Sequence, residues 1–329
     1  MQERIKPFFS VLTPAWNRAD FLGTLINSLR DQTFQDFEWI IGNDGSTDRS
    51  HELLLERFDD LKIPKIYISS DIRIGKSKLD NLLLDNARGE YLIWCDADDF
   101  LKSNALETIF NLIKKKNISE NPSLIGVIGQ NLDTFGKSQT FNLNAEILND
   151  NIYSYDELEK HLIGDGTICV KSSIFKNRRW PEVDFLITES ILLRPLYRNK
   201  HFYLTNKVLK IMDRTAENSV SFGKVLQYCR GSAYSLGGTI SFKQFDAMSL
   251  KQKIYTSINF FRYCSHGDIS VSKAIEIWPV LKKNKFLLIL YPASFLIILL
   301  DILRGKILKT HIEFESNKNL AEIVIRHFK

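Results

Sequence analysis

Cysteine is scarce in this chain, with four among 329 residues. Cys95, Cys169, Cys229 and Cys264 lie far apart and show none of the short spacings that hold a metal. Free thiols in a reducing cytoplasm are the expected setting. The six histidines also lack ligand spacing and read as structural or solvated. Charge of one sign is lacking too. The 44 Lys and Arg against 39 Asp and Glu leave +5, spread along the chain, too small an excess to imply nucleic acid. Met1 to Phe9 has no apolar run of the signal-peptide kind, so export is not expected. What is present is ordinary for a folded protein: 44% hydrophobic and 12% aromatic residues, which excludes wholesale disorder, collagen-like repeats and a pure coiled coil. A chain of this length can bury about 75% of its unfolded surface, enough for one large domain with an extra element, or for two domains.

The first hundred residues alternate strand and helix. Phe8 to Leu12 is apolar and β-prone and ends at Thr13-Pro14. Leu22, Leu25, Ile26 and Leu29 then fall at helical spacing. Phe37 to Ile41 reads as a second strand, stopped by Gly42-Asn43-Asp44-Gly45, and Asp48 to Phe58 as helix. Ile66 to Ile68 is a third strand, followed by a helix around Leu79, Leu82 and Leu83. Tyr91 to Cys95 is a fourth, running into Asp96-Ala97-Asp98-Asp99. After it, Ser103 is placed to cap a helix with Leu106, Ile109, Phe110 and Ile113 on one stripe and Lys114 to Lys116 at its end. Such repeats predict an α/β fold, a mostly parallel sheet flanked by helices.

In such sheets ligands bind beyond the carboxyl ends of the strands. Three polar clusters, Thr13 to Arg18, Asn43 to Asp48 and Asp96 to Asp99, should share that edge. Asp44, Asp96, Asp98 and Asp99 are thereby gathered, an arrangement unfavourable without a cation. Carboxylate oxygens suit Mg²⁺ or Mn²⁺ carrying a polyphosphate ligand.

At these residues the chain resembles the family 2 glycosyltransferases of GT-A fold. SVLTPAWNRADFLGTLINSLRDQTFQDFEWIIGNDGSTD, Ser10 to Asp48, is similar to the family's opening, and GEYLIWCDADD, Gly89 to Asp99, to its metal-binding segment. The resemblance covers roughly residues 8 to 221 and is strongest before Leu101. It implies that Pro14, Trp16 and Asn17 line a base pocket and that Asp44 hydrogen-bonds a uracil. It further implies that Asp96 contacts the donor's ribose or the metal and that Ala97 borders the bound donor, while Asp98 coordinates the cation bridging the diphosphate. Many members carry an Arg where Asp80 stands here. The Gly75-Lys76 pair resembles a subset in which Lys76 would be the basic contact.

Further on, Thr188-Glu189-Ser190 is similar to a segment bearing the catalytic carboxylate, which makes Glu189 the implied general base of an inverting displacement. Arg214 and Ser219 match a closing segment in which Ala216 replaces a His, and Arg214 is left as a diphosphate contact. The resemblance implies a UDP-sugar donor and a hexosyl- or N-acetylhexosaminyl-transferase. The acceptor would be a hydroxyl of a glycan or lipid-linked saccharide in cell-surface polysaccharide synthesis.

Plainer readings stand beside these. Asp44 could serve its turn alone, the acidic cluster a helix entry, Glu189 a helix first turn, Trp16 the core, and Lys76 and Lys78 a solvated loop. A sugar nucleotidyltransferase would want a glycine-rich basic loop after the first strand, which Thr13 to Asn17 lacks. A binding protein without turnover is the other alternative.

The catalytic domain is expected over 1–225, with a helical region over 226–329. Leu250 to Tyr263 and Val271 to Leu281 read as helices. Phe286 to Leu300 is almost wholly apolar, roughly 22 Å long as a helix, against the roughly 30 Å of a bilayer's hydrocarbon core. Lys282, Lys283 and Lys285 precede it, and Arg304, Lys306 and Lys309 follow. It suits either a buried or homo-oligomer interface or peripheral contact with an anionic membrane on its cytoplasmic face.

Overall fold

The computed structural model describes residues 6–139, 150–161, 165–183, 185–215, 229–241, 245–246, 248–283, 285–303 and 322–328. The chain divides into two units, one of residues 1–179, 196–217 and 317–329, the other of residues 180–195 and 218–316.

In the first unit, β1 (Phe9–Ala15), β2 (Phe37–Asp44), β3 (Lys65–Ser70) and β4 (Tyr91–Trp94) are parallel, in the order β3-β2-β1-β4. Helices α1 (Ala19–Arg30), α2 (Ser50–Arg57) and α3 (Lys76–Asn86) connect them. Strand alternation decides which helix covers which face. Phe9, Val11, Trp39, Ile41, Tyr67, Tyr91 and Ile93 share one core with Leu22, Leu25, Ile26 and Leu29 of α1 and Leu54 of α2. On the opposite face α3 comes so close that a Cβ on Gly42 would meet the Leu79 side chain at 2.6 Å. The four strands thus carry helices on both faces, with Ala15 and Asp44 ending at one edge.

Beyond β4 the sheet is mixed. β5 (Asp99–Leu101), β6 (Leu124–Asp133), β7 (Asn151–Ser154), β8 (Thr167–Lys171) and β9 (His201–Met212) extend it through β4-β8-β6-β9-β5, with β7 also on β9 and followed by the helix α5 (Tyr155–His161). Of these contacts only β6 with β9 is parallel. The parallel reading therefore holds for the first four strands. The rest pairs antiparallel except for β6 with β9.

Two expectations need correction. Ser103 does not cap the helix after β5; α4 (Ala105–Lys115) starts from Asn104, with no side-chain cap of its own. Gln32 acts from another loop: its Oε1 accepts from the Leu106 amide at 3.2 Å while its Nε2 donates to the Lys102 carbonyl at 2.8 Å. A helix N-terminus needs acceptors for its free amides, and tertiary structure supplies one here. Second, residues 226–329 are not helical throughout. Ile323–Phe328 forms β10, antiparallel to β3. Its β-branched start suits a strand, and the open edge of β3 offers unpaired backbone groups.

The second unit is helical where described. Its α6 (Ser190–Tyr197) begins in residues 180–195; α7 (Cys229–Ser241), α8 (Leu250–His266), α9 (Val271–Ile277), α10 (Val280–Lys283) and α11 (Lys285–Leu303) follow. Ser249 and Gln252 form a reciprocal cap at the start of α8. Phe260, Phe261, Trp278, Leu281 and Leu287 centre its core, with Tyr234 edge-on to Trp278 at 5.1 Å. The expected helix over 271–281 breaks at Trp278-Pro279, because proline has no amide to continue the ladder.

α11 runs through Pro292. It buries Leu287, Ser294, Ile298 and Asp301 but leaves Ile289, Phe295, Leu296, Leu299 and Leu303 exposed. Asp301 is gripped by Arg262 at 2.6 and 2.8 Å and by His266 at 3.1 Å. Burial alone would raise its pKa, but those hydrogen bonds outweigh it and hold the carboxyl below its ordinary value. Among the described residues no helix is long and apolar enough to cross a membrane.

Candidate active site

The site forms where β1, β2 and β4 end. The loop after β1 is locked to the loop after β2. Asn17 adopts a left-handed φ of 50°, which asparagine tolerates. Its backbone amide donates to Ser46 Oγ at 2.9 Å, and its side-chain oxygen accepts from the Thr47 amide at 2.8 Å. The Arg18 amide donates to Ser50 Oγ at 2.9 Å, and Asp48 accepts from Ala19 at 3.0 Å. Asn17 is therefore spent on positioning this loop.

Asp44 ends β2 and is only 4% exposed. The turn itself uses Asn43, whose Oδ1 accepts from the Ser46 amide at 3.3 Å. Asp44 instead accepts from the Ile74 and Gly75 amides at 2.7 and 3.0 Å, tying down the loop between β3 and α3. Burial raises its pKa, opposed by those amides and by Arg73. Gly45, at φ 61°, lies so close to Ile72 that an added Cβ would strike its backbone. The same loop brings a residue that the sequence reading missed. Arg73 lies with its guanidinium carbon 3.5 Å from the centre of the Trp16 ring and its Nε 3.9 Å from Asp44 Oδ2. Trp16 and Pro14 are both half-buried at the strand edge.

After β4 the acidic residues alternate in direction. Ala97 is buried among the core residues, and Asp99 is buried against Lys210 at 2.6 Å. Burial pushes the Asp99 carboxyl up, against the pull of Lys210. Asp96 and Asp98 point the other way, 47% and 18% exposed in their side chains. Asp98 Oδ2 accepts from Arg18 Nε at 3.0 Å. Burial and the Asp96 charge raise the Asp98 pKa while Arg18 opposes them. Lys76 reaches Asp80 at 2.9 Å and stands 4.0 Å from Asp96. Asp80 is therefore this lysine's buried partner. Arg214 follows β9, whose Met212 is the register partner of Asp99, and donates to Asp165 at 3.0 Å. Ala216 and Ser219 lie outside the described residues.

These residues match in sequence and in fold. The family model for glycosyl transferase family 2 matches residues 10–177. The chain belongs to that family.

As a family 2 glycosyltransferase it is 29% identical over 219 residues to a GalNAc(5)-diNAcBac-PP-undecaprenol beta-1,3-glucosyltransferase of Campylobacter jejuni, covering 66% of this chain and 68% of that one. It is 30% identical over 135 residues to the putative teichuronic acid biosynthesis glycosyltransferase TuaG of Bacillus subtilis, covering 40% of this chain and 52% of TuaG. Among solved structures it resembles S. aureus TarS 1–349 in complex with UDP-GlcNAc, with a TM-score of 0.56 at 15% identity, covering 90% of this chain and 92% of that one. The fold is GT-A.

Glu189 belongs to the second unit. It precedes α6 and is exposed; its carbonyl accepts from Leu193 at 3.1 Å and from Trp180 Nε1 at 3.2 Å, which fixes the backbone that carries it. Among the described residues no group of three or more His, Cys, Asp or Glu is placed to hold a metal. The donor set nevertheless fits a Mg²⁺ or Mn²⁺ ion brought with a nucleotide. Asp96 and Asp98 supply hard oxygens, and a cation, the Arg18 guanidinium, already lies on Asp98. Mg²⁺ is commonly held by one or two carboxylates, with substrate phosphates and water completing the shell.

Proposed function

We propose that this glycosyltransferase transfers a sugar, with inversion, from a UDP-sugar to a hydroxyl of a glycan or lipid-linked saccharide during cell-surface polysaccharide synthesis. The observation that carries the nucleotide assignment is the Trp16–Arg73–Asp44 group, 3.5 and 3.9 Å between neighbours, at the end of β1 and β2. A planar base can lie against such a platform, and a carboxylate with a free lone pair accepts the uracil imide N–H, which cytosine lacks. Arg73 is the basic residue of the base pocket, leaving Lys76 and Arg214 for the phosphates.

Glu189 takes the proton of the acceptor hydroxyl as that oxygen bonds to the anomeric carbon. The bond from that carbon to the diphosphate oxygen breaks on the opposite side, which inverts the configuration and releases UDP. A divalent cation held by Asp98, with Asp96 beside it, would neutralise charge on the leaving diphosphate.

Binding of UDP, GDP, CDP and dTDP, each with and without Mn²⁺, tests the reading by thermal shift. UDP with Mn²⁺ is expected to raise the melting temperature most, since a ligand of the native state stabilises it by mass action. No response to any nucleotide would favour a non-catalytic, glycosyltransferase-like binding protein.

The exposed apolar face of α11 supports peripheral contact with an anionic membrane. Asp301, held by Arg262 and His266, opposes burying this helix across lipid. The protein is expected to float with vesicles containing phosphatidylglycerol, and Leu296→Glu with Leu303→Glu to abolish flotation. A protein that ignores such vesicles would point instead to an interface between copies.

A further inference from the structure

Arg18 occupies the carboxylate that the proposed chemistry assigns to the metal. Its Nε donates to Asp98 Oδ2 at 3.0 Å, and its Nη1 donates to the Trp16 and Asn17 carbonyls at 3.2 and 3.0 Å. The side chain is only 14% exposed. A divalent ion bonded to Oδ2 at about 2.1 Å would stand close enough to this guanidinium to be strongly repelled. The two cations therefore compete for this carboxylate.

The charges around the pocket make the same point. Without ligands, Asp80, Asp96 and Asp98 face Arg18 and Lys76, three negative groups against two positive ones. A metal ion entering alone would turn this group from net negative to net positive. A metal ion entering with a diphosphate would restore the balance, and the new anion offers Arg18 an acceptor in place of Asp98. Phosphate oxygens sharing the metal would lie within about 4 Å of the carboxylate oxygen, so a rotation of the side chain suffices. The backbone need not move, since the Arg18 amide is held by Ser50 and the next residue by Asp48.

We propose that Arg18 is a resident counterion of Asp98 that yields to the metal and transfers to the donor diphosphate, so that metal and nucleotide bind as a pair. The proposal rests on the donor site argued above. It assigns Arg18 two roles: keeping nucleotide-free enzyme from holding a metal, and contacting the diphosphate when the metal is bound.

The test is calorimetric titration of full-length protein with Mn²⁺ alone and with UDP at saturating Mn²⁺. Arg18→Gln is expected to bind Mn²⁺ alone about tenfold more tightly than the parent, because a like charge beside the ligand is gone. It is expected to bind UDP in saturating Mn²⁺ about tenfold more weakly, because a charge-assisted contact is lost. Arg18→Lys keeps the charge and should stay near the parent for Mn²⁺ alone, which also guards against a folding defect in the Gln variant. Unchanged Mn²⁺ affinity in Arg18→Gln would overturn the counterion role; unchanged UDP affinity would overturn the transfer. A parent that binds no UDP with Mn²⁺ would instead sink the donor site itself.

Discussion

Asp98→Ala is expected to abolish the metal dependence of UDP binding and to lower transfer by roughly a thousandfold or more. Lewis-acid neutralisation of a leaving diphosphate supplies several kcal/mol, and each 1.36 kcal/mol is about a factor of ten in rate. Asp98 is the more buried of the two outward-facing carboxylates, at 18% side-chain exposure against 47% for Asp96. Among the described residues no third ligand stands by to replace it. Thermal shift by UDP should therefore become the same with and without Mn²⁺. The fold should survive, because the change removes one carboxylate from a loop rather than a side chain from the core. Arg18 then loses its Asp98 partner and keeps its two carbonyl acceptors. A variant still stabilised by UDP only when Mn²⁺ is present would mean that Asp98 does not hold the metal.

The sheet edge was legible in the sequence because strand alternation and turn chemistry are local. Leu22, Leu25, Ile26 and Leu29 are the buried residues of α1, and the four strands expected in the first hundred residues are parallel. Trp16, Asp44 and Asp98 could be gathered on one edge because parallel strands share a carboxyl end. Arg73 could not be found that way. It lies in an irregular loop with no periodicity, and hydrogen bonds of Asp44 to Ile74 and Gly75, between residues far apart in sequence, help to place that loop. Glu38 escaped for the opposite reason. It sits within an apolar strand run yet is fully buried, satisfied by Ser10 at 2.7 Å and by Arg88 at 2.6 Å. Its partners come from sequence-distant strand boundaries. Gly89 shows the same close packing: a Cβ there would collide with the backbone at Ser10. Gln32 likewise caps a helix that begins far along the chain, so the adjacent Ser103 looked like the natural cap.

Glu189→Gln should separate binding from chemistry. The amide keeps the size of the side chain and the backbone hydrogen bonds that precede α6, so the protein should fold and bind UDP with Mn²⁺ like the parent. It cannot accept the acceptor's proton, and loss of general-base catalysis costs about a hundred- to ten-thousandfold in rate. The reading is therefore a fall in turnover of that order with little change in UDP affinity, measured as UDP release from a UDP-sugar in the presence of acceptor. The pattern matters more than its size. Lost affinity together with lost turnover would make Glu189 part of the donor site, whereas turnover equal to the parent's would put the base elsewhere. With Asp98→Ala the two variants make a diagnostic pair: one loses the metal-dependent ground state, the other keeps it and loses the attack.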